Sequence, residues 1–348
     1  MKINLHSILK AYDYRLPEEL IAQKPARPRD SARLLVYNKK LKTAKFDTFK
    51  HLGKYLPKNA VLVFNQTKVV PARLKLKKET GGVVEILYIK NDNGIIHALC
   101  NKHLAPDSKL QVAGAKQLHF TVLKKVNQFY YLKPSFPSAQ IKSILEKYGQ
   151  TPLPPYIKHS PLSEKQKREQ YQTVFAKNGL SVAAPTASLH FSKSLIASLK
   201  KQGIEVEYLT LNVNLGTFAP LREENLKTGK LHSETFEIEK PTADRLNLAK
   251  KQGRPIIAVG TTVIRTLESA AHNNKLTKLS GDTRLFIQPG YKFKFISGTV
   301  TNFHVPKSSL LMLISALVGK SVLLNLYKKA ISKKFRFFSF GDGMIILP

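Results

Sequence analysis

The sequence is poor in cysteine and has no long apolar run. Its one cysteine, Cys100, excludes an internal disulfide framework, and no paired Cys or His spacing indicates a structural zinc site. The longest membrane candidate, SSLLMLISALVG at residues 308–319, is shorter than the roughly 20 residues of a spanning helix and predicts a buried helix. The N-terminal segment also lacks the apolar core of a signal peptide. We therefore expect a cytoplasmic protein without a membrane span.

Acidic residues are scarce relative to basic ones. The chain has 57 Lys and Arg against 23 Asp and Glu, a formal net charge of +34 that is spread along its length. Such a field attracts polyanions, and salt weakens the attraction. The charge favours a nucleic acid as partner, and the alternative is a solvated, lysine-rich surface.

What the chain does contain is a strand-rich segment followed by a proline-rich one. Short β-branched and aromatic runs between residues 60 and 135, separated by Gly, Asn and Asp, predict a small antiparallel barrel. The segment TPLPPYIKHSP at residues 151–161 cannot continue a helix or a central strand, and it marks a domain boundary. We predict an α/β fold with a large α/β catalytic domain at 1–60 and 150–348 and an inserted β-barrel domain at 61–149.

Strand and helix alternate after the proline-rich segment. Ser163 and Gln166 have capping-box spacing at the start of one predicted helix. A second helix has Ser192 as its N-cap and Gly203 as its stop. TADRLNLAKKQG at residues 242–253 repeats this order of cap, helix and glycine. The alternation is typical of an α/β domain.

A glycine-threonine turn separates a buried strand from a helix in IIAVGTTVIRTLESAA, residues 256–271. Gly260 permits a tight turn, Thr261 or Thr262 can cap the helix, and backbone donors there favour an anionic or electron-rich group. Arg265 could add a charge-assisted contact. The same pattern is also ordinary α/β architecture, and without a lysine after the glycine it is not a phosphate loop.

A second polar turn follows another predicted strand. LNVNLGTFAPL, residues 211–221, ends that strand at Gly216 and Thr217. Ligands of open α/β sheets bind at the carboxyl ends of the strands. Two polar turns in like positions therefore indicate one crevice.

Three histidines lie at predicted strand ends. His190 stands among small apolar residues in SVAAPTASLHF, and His232 lies two residues before Glu234, on the same side of a strand. Asn302 and His304 are likewise two apart, just before a helix. A single histidine in such a place is more often a hydrogen-bonded structural residue. Three of them favour a catalytic group.

One polar and two basic residues also lie at the edge of the predicted barrel. Asn65, Lys68 and Arg73 end one strand and begin the next in FNQTKVVPARL. They could bind a phosphate backbone or a nucleotide, or form an ordinary charged turn.

Taken in chain order, these segments resemble one family, the S-adenosylmethionine:tRNA ribosyltransferase-isomerases of queuosine biosynthesis. The resemblance extends nearly from end to end. The matching segments are YDYRLPEELIAQKPARPRDSARLLV, FNQTKVVPARL, GGVVEIL, LPPYI, QYQTVFAKNGLSVAAPTASLHF, LGTFAPL, LHSE, IIAVGTTVIRTLESA, FIQPGYKF, TNFHVPKSSLLMLISALVG and FRFFSFGDGMIIL.

The resemblance implies a fold, a reaction and partners. The fold is a large α/β domain with a small inserted antiparallel β-barrel. The reaction transfers and isomerises the ribosyl part of S-adenosylmethionine onto 7-aminomethyl-7-deazaguanine at the tRNA wobble position, giving epoxyqueuosine, adenine and methionine. S-adenosylmethionine is consumed as a co-substrate, and no metal, other cofactor or obligate protein partner is implied.

This chemistry assigns roles to the residues singled out above. A sulfonium acidifies the ribose C5′ hydrogens, so a base must remove one, and hydrogen bonds help adenine to leave. The candidate bases are His190, His232 and His304, with Glu234 as rival or orienting partner. The expected substrate-binding residues are Thr186, Ser188, Gly216, Thr217, Gly260, Thr261, Thr262, Arg265 and Asn302. The expected tRNA-binding residues are Lys68 and Arg73.

The sequence departs from the usual family pattern at four places. The family has glycine where this chain has Ser188 and Asn214, a histidine near Gly229, and an aspartate near Ser297 or Gly298. A side chain in place of a lost glycine narrows the site or strains the turn wherever that position needs φ > 0. Two alternatives stay open: a catalytically impaired tRNA-binding relative, and a nucleotide-dependent enzyme acting on a small molecule.

Overall fold

The computed structural model describes residues 5–213 and 221–348, without the side chain of Asn178. Its α-helices are α1 (Leu5–Lys10), α2 (Ile141–Tyr148), α3 (Glu164–Gln170), α4 (Lys193–Lys201), α5 (Glu223–Thr228), α6 (Lys240–Lys251), α7 (Thr261–Ala270), α8 (Ser309–Val318) and α9 (Lys320–Ser332). Short 3-10 helices cover Glu18–Leu20, Arg29–Ser31, Phe49–Lys54, Ser138–Gln140 and Thr186–His190.

The strands of the described residues form two main sheets and two small ribbons. They are β1 (Arg33–Asn38), β2 (Thr43–Thr48), β3 (Val61–Asn65), β4 (Thr67–Val69), β5 (Arg73–Lys78), β6 (Val83–Asp92), β7 (Ile95–Cys100), β8 (Lys109–Val112), β9 (His119–Val126), β10 (Phe129–Pro134), β11 (Asn178–Ser181), β12 (Glu205–Leu211), β13 (Lys230–Glu237), β14 (Ile256–Val259), β15 (Ala271–His272), β16 (Lys275–Leu276), β17 (Ser280–Leu285), β18 (Gly298–Asn302) and β19 (Gly343–Leu347).

The large sheet has parallel strands at its centre and antiparallel pairs toward its edges. Across the described residues its order is β17-β13-β12-β3-β14-β18-β19-β1-β2. Strands β12, β3, β14 and β18 are parallel neighbours. Strand β19 is antiparallel to β18 and parallel to β1. The carboxyl ends of the four central strands therefore meet at one edge of the sheet.

The central strands are buried on both faces. In β3, Val61 and Val63 belong to the apolar core shared with α6 to α9, while Leu62 and Phe64 belong to the core shared with α4. Successive side chains of a strand point to opposite faces, so β3 supplies both cores. Strand β14 divides in the same way. This confirms the buried strand that the sequence predicts just before Gly260.

The sequence predicts that the barrel domain begins at residue 61. This boundary is wrong, because β3 begins there and pairs with β12 and β14 in the large sheet. A short run of apolar residues is compatible with a barrel strand or with a strand of a parallel sheet. Only the strands with which it pairs show which of the two it is. The remaining division into two domains stays a prediction.

The predicted antiparallel barrel is confirmed. Strands β5 to β10 close in the order β10-β7-β6-β5-β8-β9, and their inward side chains form a separate core. Helix α2 adds Ile141, Ile144 and Leu145 to that core. The two chain connections of the barrel lie side by side, because Arg73 and Gln150 exchange backbone hydrogen bonds of 3.1 and 2.8 Å.

Two of the predicted helix starts are confirmed. The hydroxyl of Ser163 accepts a hydrogen bond from the backbone N–H of Gln166, whose side chain accepts one from the backbone of Ser163. The hydroxyl of Ser192 accepts from the backbone N–H of Leu195 at 3.0 Å and caps α4. Each cap satisfies N–H groups that lack a partner within the helix.

The predicted cap of α6 at Thr242 is wrong. The helix begins at Lys240, and Pro241 occupies its first turn, where a missing N–H costs nothing. The Thr242 hydroxyl instead donates to the buried carboxylate of Glu207 at 3.1 Å.

Helix α8 is the buried helix expected at residues 308–319, and its residues 311–315 are buried. No single helix in the described part of the chain is long and apolar enough to cross a membrane. Helices α8 and α9 reach that length and composition only as a pair, and they are bent by 109°.

Candidate active site

A cleft with apolar walls and several polar side chains lies at the carboxyl ends of the central parallel strands. It contains about 650 Å³ of space free of protein atoms, part of which is open solvent. Its walls come from the residues that follow β12, β14 and β18. The lining residues are Tyr156, Ala184–Ala187, Val213, Gly260–Thr262, Thr301–Val305, Leu310, Phe338 and Ser339.

The turn after β14 approaches the cleft through Gly260. This residue has φ +98° and serves as the N-cap of α7, without a side-chain cap. The expectation that Thr261 or Thr262 caps the helix is therefore wrong, since both already lie inside it. Their side chains line the cleft instead. A residue with a side chain would be strained at this φ, which explains the glycine.

His304 lies at the cleft as an almost fully buried imidazole. Its Nε2 is 3.1 Å from the Thr301 hydroxyl, whereas its Nδ1 has no partner among the described residues. The hydroxyls of Tyr327 and Tyr14 hold its backbone N–H and C=O. Burial lowers the pKa of His304 to about 3, so the ring is neutral at physiological pH.

Asn302 connects the cleft to His190. Its Oδ1 accepts a hydrogen bond from the Thr186 hydroxyl at 2.9 Å, and its Nδ2 is 3.3 Å from His190 Nε2. His190 is buried behind this residue and stacks on Phe49, with ring centroids 4.2 Å apart. Burial, with the nearby positive charges of Arg336 and Arg29, lowers the pKa of His190 to about 3. His190 is therefore connected to the cleft through Asn302.

A smaller side pocket adjoins the cleft and shares Thr261, Thr262 and Leu310 with it. Its remaining polar lining is His232, Glu234, Arg265 and Ser309. This placement agrees with the expectation that His232 and Glu234, two apart on β13, face the same side.

A buried ion pair forms one wall of the side pocket. Arg265 Nη1 donates to the Glu234 carboxylate, and the two side chains are 6% and 2% exposed. Arg265 Nε donates to the Leu285 carbonyl at 3.1 Å, while its Nη2 has no partner among the described residues. Removing either partner would leave an uncompensated buried charge.

The structure brings most of the predicted site residues together. Those lining the cleft or the side pocket are Thr186, His232, Glu234, Gly260, Thr261, Thr262, Arg265, Asn302 and His304. Ser188 and His190 are buried outside that lining. Gly216 and Thr217 lie outside the described residues.

The predicted tRNA-binding residues lie near the junction of barrel and sheet. Arg73 is engaged by the Glu85 carboxylate at 2.5 Å and by the Leu153 carbonyl at 3.0 Å. Lys68 is 3.9 Å from Glu146 and keeps 42% of its side chain exposed. Asn65, which the sequence also suggested as a phosphate contact, is fully buried. Its side chain bonds to backbone groups and to Thr262 instead.

Sequence reasoning missed the aromatic and hydroxyl residues of the cleft. Tyr156 lies in the proline-rich segment, and its hydroxyl is 2.6 Å from that of Ser339. Burial raises the pKa of Tyr156 to about 12, which keeps the phenol protonated. One sequence feature could have indicated Tyr156. An aromatic residue in a proline-rich segment, which is neither helix nor central strand, must pack its ring against a residue from another part of the chain.

The departures from the family pattern cause no strain where the structure describes them. Ser188 is fully buried and does not have positive φ, although its hydroxyl has no partner among the described residues. Gly229 ends α5 in the left-handed region at φ +64°. A side chain at Gly298 would collide with the Ile346 carbonyl. Asn214 lies outside the described residues.

In residues 5–213 and 221–348, no group of three His, Cys, Asp or Glu side chains is placed to hold a metal ion.

The chain matches the family described as queuosine biosynthesis protein over residues 9–346 and belongs to that family. It is 46% identical to the S-adenosylmethionine:tRNA ribosyltransferase-isomerase of Carboxydothermus hydrogenoformans, over 97% of this chain and 99% of the relative. The enzyme of the same name from Aquifex aeolicus is 42% identical, over 97% and 99%. The crystal structure of S-adenosylmethionine tRNA ribosyltransferase from Thermotoga maritima matches 97% of this chain and all of its own, with TM-score 0.56 and 31% identity. These findings confirm the predicted family and fold class.

Proposed function

We propose that this chain transfers and isomerises the ribosyl group of S-adenosylmethionine onto 7-aminomethyl-7-deazaguanine at the tRNA wobble position. The products are epoxyqueuosine in the tRNA, free adenine and free methionine. S-adenosylmethionine serves as co-substrate, and the tRNA substrate makes the cytoplasm the expected site of reaction.

The proposal rests on one observation. In a chain that matches its relatives nearly from end to end, most of the predicted site residues lie together at the carboxyl edge of the sheet. Hydroxyl, amide and imidazole groups of Thr186, Thr261, Thr262, Asn302 and His304 line one cleft there. Ligands of α/β sheets bind at this edge.

The transfer needs a group that removes a proton from C5′, next to the sulfonium. His304 is the candidate at the cleft, because burial keeps its ring neutral and Nδ1 has no partner among the described residues. A buried imidazole is a weaker base than an exposed one. The sulfonium offsets this by acidifying the C5′ hydrogens. His232, in the side pocket, is the rival base.

The other predicted residues hold or orient the reacting groups. Thr186 and Asn302 form one hydrogen-bonded wall of the cleft, with His190 as a positioning residue behind them. Glu234 is bound by Arg265, so we assign it an orienting role rather than that of the free base. The turn at Gly260 to Thr262 presents polar groups to the ribose or to the departing adenine.

Adenine release tests the proposed function. The enzyme is incubated with S-adenosylmethionine and tRNA carrying 7-aminomethyl-7-deazaguanine, with unmodified guanine tRNA or no tRNA as controls. We expect adenine only with the modified tRNA. Tight tRNA binding without adenine release would instead indicate the impaired relative, and release that needs no tRNA would indicate a small-molecule enzyme.

A further inference from the structure

A basic groove lies next to the cleft. It contains about 1180 Å³ of space free of protein atoms and is open to solvent. One wall comes from the segment between β19 and α9, and the other from α3 and the residues around the 3-10 helix at Arg29–Ser31. The lining residues are Lys24–Arg27, Ser31, Arg33, Leu162, Gln166, Gln170, Lys334, Arg336 and Asp342.

The groove is strongly cationic. Five Lys and Arg side chains line it, and Asp342 is its only acidic lining residue. That carboxylate is 1% exposed and fully engaged by the Arg336 guanidinium at 3.1 Å and by the backbone N–H groups of Arg33 and Arg336. It therefore fixes the wall and offers little negative charge to the groove itself.

Three of the groove cations are exposed and uncompensated. Lys24, Arg27 and Lys334 form no ion pair with any carboxylate that the structure describes. Arg33 and Arg336 are held more firmly, Arg33 by the Lys333 carbonyl at 2.7 Å and Arg336 by Asp342. The groove thus combines two fixed cations with three that can adjust to a ligand.

The groove and the cleft are two sides of one segment. Lys334, Arg336 and Asp342 line the groove, whereas Phe338 and Ser339, between Arg336 and Asp342 in the chain, line the cleft. A second connection joins them on the opposite wall. The amide of Gln23, the residue before Lys24, donates to the carbonyl of the cleft residue Tyr156 at 3.2 Å.

We propose that the basic groove binds backbone phosphates of the tRNA strand that flanks the base in the cleft. Exposed cations along an open channel are typical of backbone contacts to nucleic acid, which position a strand without reading its sequence. Because one chain segment lines both the groove and the cleft, phosphates bound in the groove hold a neighbouring base at the cleft mouth. This inference rests on the proposed function for the identity of the RNA.

The test compares two triple variants. The first, K24A/R27A/K334A, removes the three exposed groove cations. The matched control, K200A/K201A/K251A, removes three exposed lysines near the ends of α4 and α6. Those ends precede β12 and β14, so the control lysines lie toward the amino-terminal edge of the sheet, away from the cleft.

We expect the groove variant to bind tRNA at least about tenfold more weakly than the control at physiological salt. The slope of log affinity against log salt should fall in magnitude by about 2 to 3, roughly one for each lost phosphate contact. Its KM for tRNA should rise while its KM for S-adenosylmethionine stays unchanged. Equal tRNA affinities and salt slopes for the two triple variants would overturn the proposal.

Two further arms separate this proposal from the proposed function and from a small-anion site. Binding is measured with unmodified tRNA as well, because phosphate contacts do not depend on the modified base. Binding to unmodified tRNA therefore tests the role of the groove even if the wild-type enzyme releases no adenine. Inorganic phosphate is added at constant ionic strength: binding of phosphate to the wild type but not to the groove variant, without displacement of tRNA from either, would indicate a free-phosphate site and overturn the proposal.

Discussion

Asn302 Nδ2 lies 3.3 Å from Nε2 of the buried His190. The same amide group also donates to the Phe338 carbonyl at 3.2 Å, and its oxygen accepts from Thr186. His190 therefore fixes the orientation of a cleft residue without lining the cleft itself.

Replacing His190 should disturb catalysis through Asn302. We expect H190A and N302A each to lower the rate of adenine release by about 10- to 100-fold, and the double variant to lose little more than either one alone. Residues of one hydrogen-bonded unit show such non-additivity. Single-turnover adenine release measures it. Fully additive losses would mean that the two side chains act independently.

His304 should matter most to the chemical step. We expect H304A to lower single-turnover adenine release by about 10²- to 10⁴-fold, the usual contribution of a general acid or base. T301V, which removes only the contact to Nε2, should cost less. Tyrosine hydroxyls hold the backbone of residue 304, so tRNA affinity should be nearly unchanged, while the cavity left by the buried ring should lower the free energy of unfolding. Near-normal turnover in H304A, with a large loss in H232A, would transfer the role to His232.

The two buried histidines should make stability fall in acid. Each is neutral in the folded state, with pKa about 3, whereas in the unfolded chain the pKa is about 6.5. Between these values only the unfolded state binds the extra proton. Stability is therefore fully present above about pH 6.5 and decreases by about 1.4 kcal/mol per pH unit per histidine as pH falls toward 3.

Urea unfolding between pH 4.5 and 7.5 measures this dependence. The wild type is compared with H190Q/H304Q, which carries neither imidazole. We expect the free energy of unfolding to depend less steeply on pH in the variant, by an amount that corresponds to up to two protons. Identical slopes would show that these two rings do not cause the acid sensitivity.

The buried pair of Glu234 and Arg265 should respond to single and double changes in opposite ways. R265M or E234L alone leaves one uncompensated buried charge and should destabilise the fold by about 3–5 kcal/mol. E234L/R265M removes both charges and should recover most of that loss in urea unfolding. Adenine release should stay low in the recovered double variant, because the polar wall of the side pocket is gone. Normal release there would exclude the pair from the reaction.

Ser188 should be dispensable. Its buried hydroxyl has no partner among the described residues, and such a group costs about 1–3 kcal/mol. We expect S188A to unfold at higher urea concentration than the wild type, with adenine release changed less than about twofold. A large loss of turnover would mean that this position contacts the substrate after all.

The barrel was predictable from sequence because its patterns are local. Its strands follow one another with polar turns between them, and each pairs within the segment 73–134. The sheet position of β3 was not predictable in this way. Its partners β12 and β14 are more than 100 residues away in the chain, and the apolar sequence of β3 does not indicate which strands it pairs with.

The site divides in a similar manner. Asn302, His304 and the turn at Gly260 could be placed at one edge, because each follows a parallel strand. The position of His190 depends on Phe49, which comes from a distant segment and covers one face of its ring. The contact of Tyr156 with Ser339 likewise joins two segments that no local pattern connects.

Strand β19 determines when the large sheet can be completed during translation. It fills the position between β18 and β1, and it comes after every other strand of the large sheet. During translation, β1 and β2 must wait as an unattached hairpin until residues 343–347 emerge. The barrel, with all its strands encoded early and side by side, can close long before that. A nascent chain on the ribosome would thus carry a finished barrel beside a sheet whose β1–β2 hairpin is not yet joined to β18.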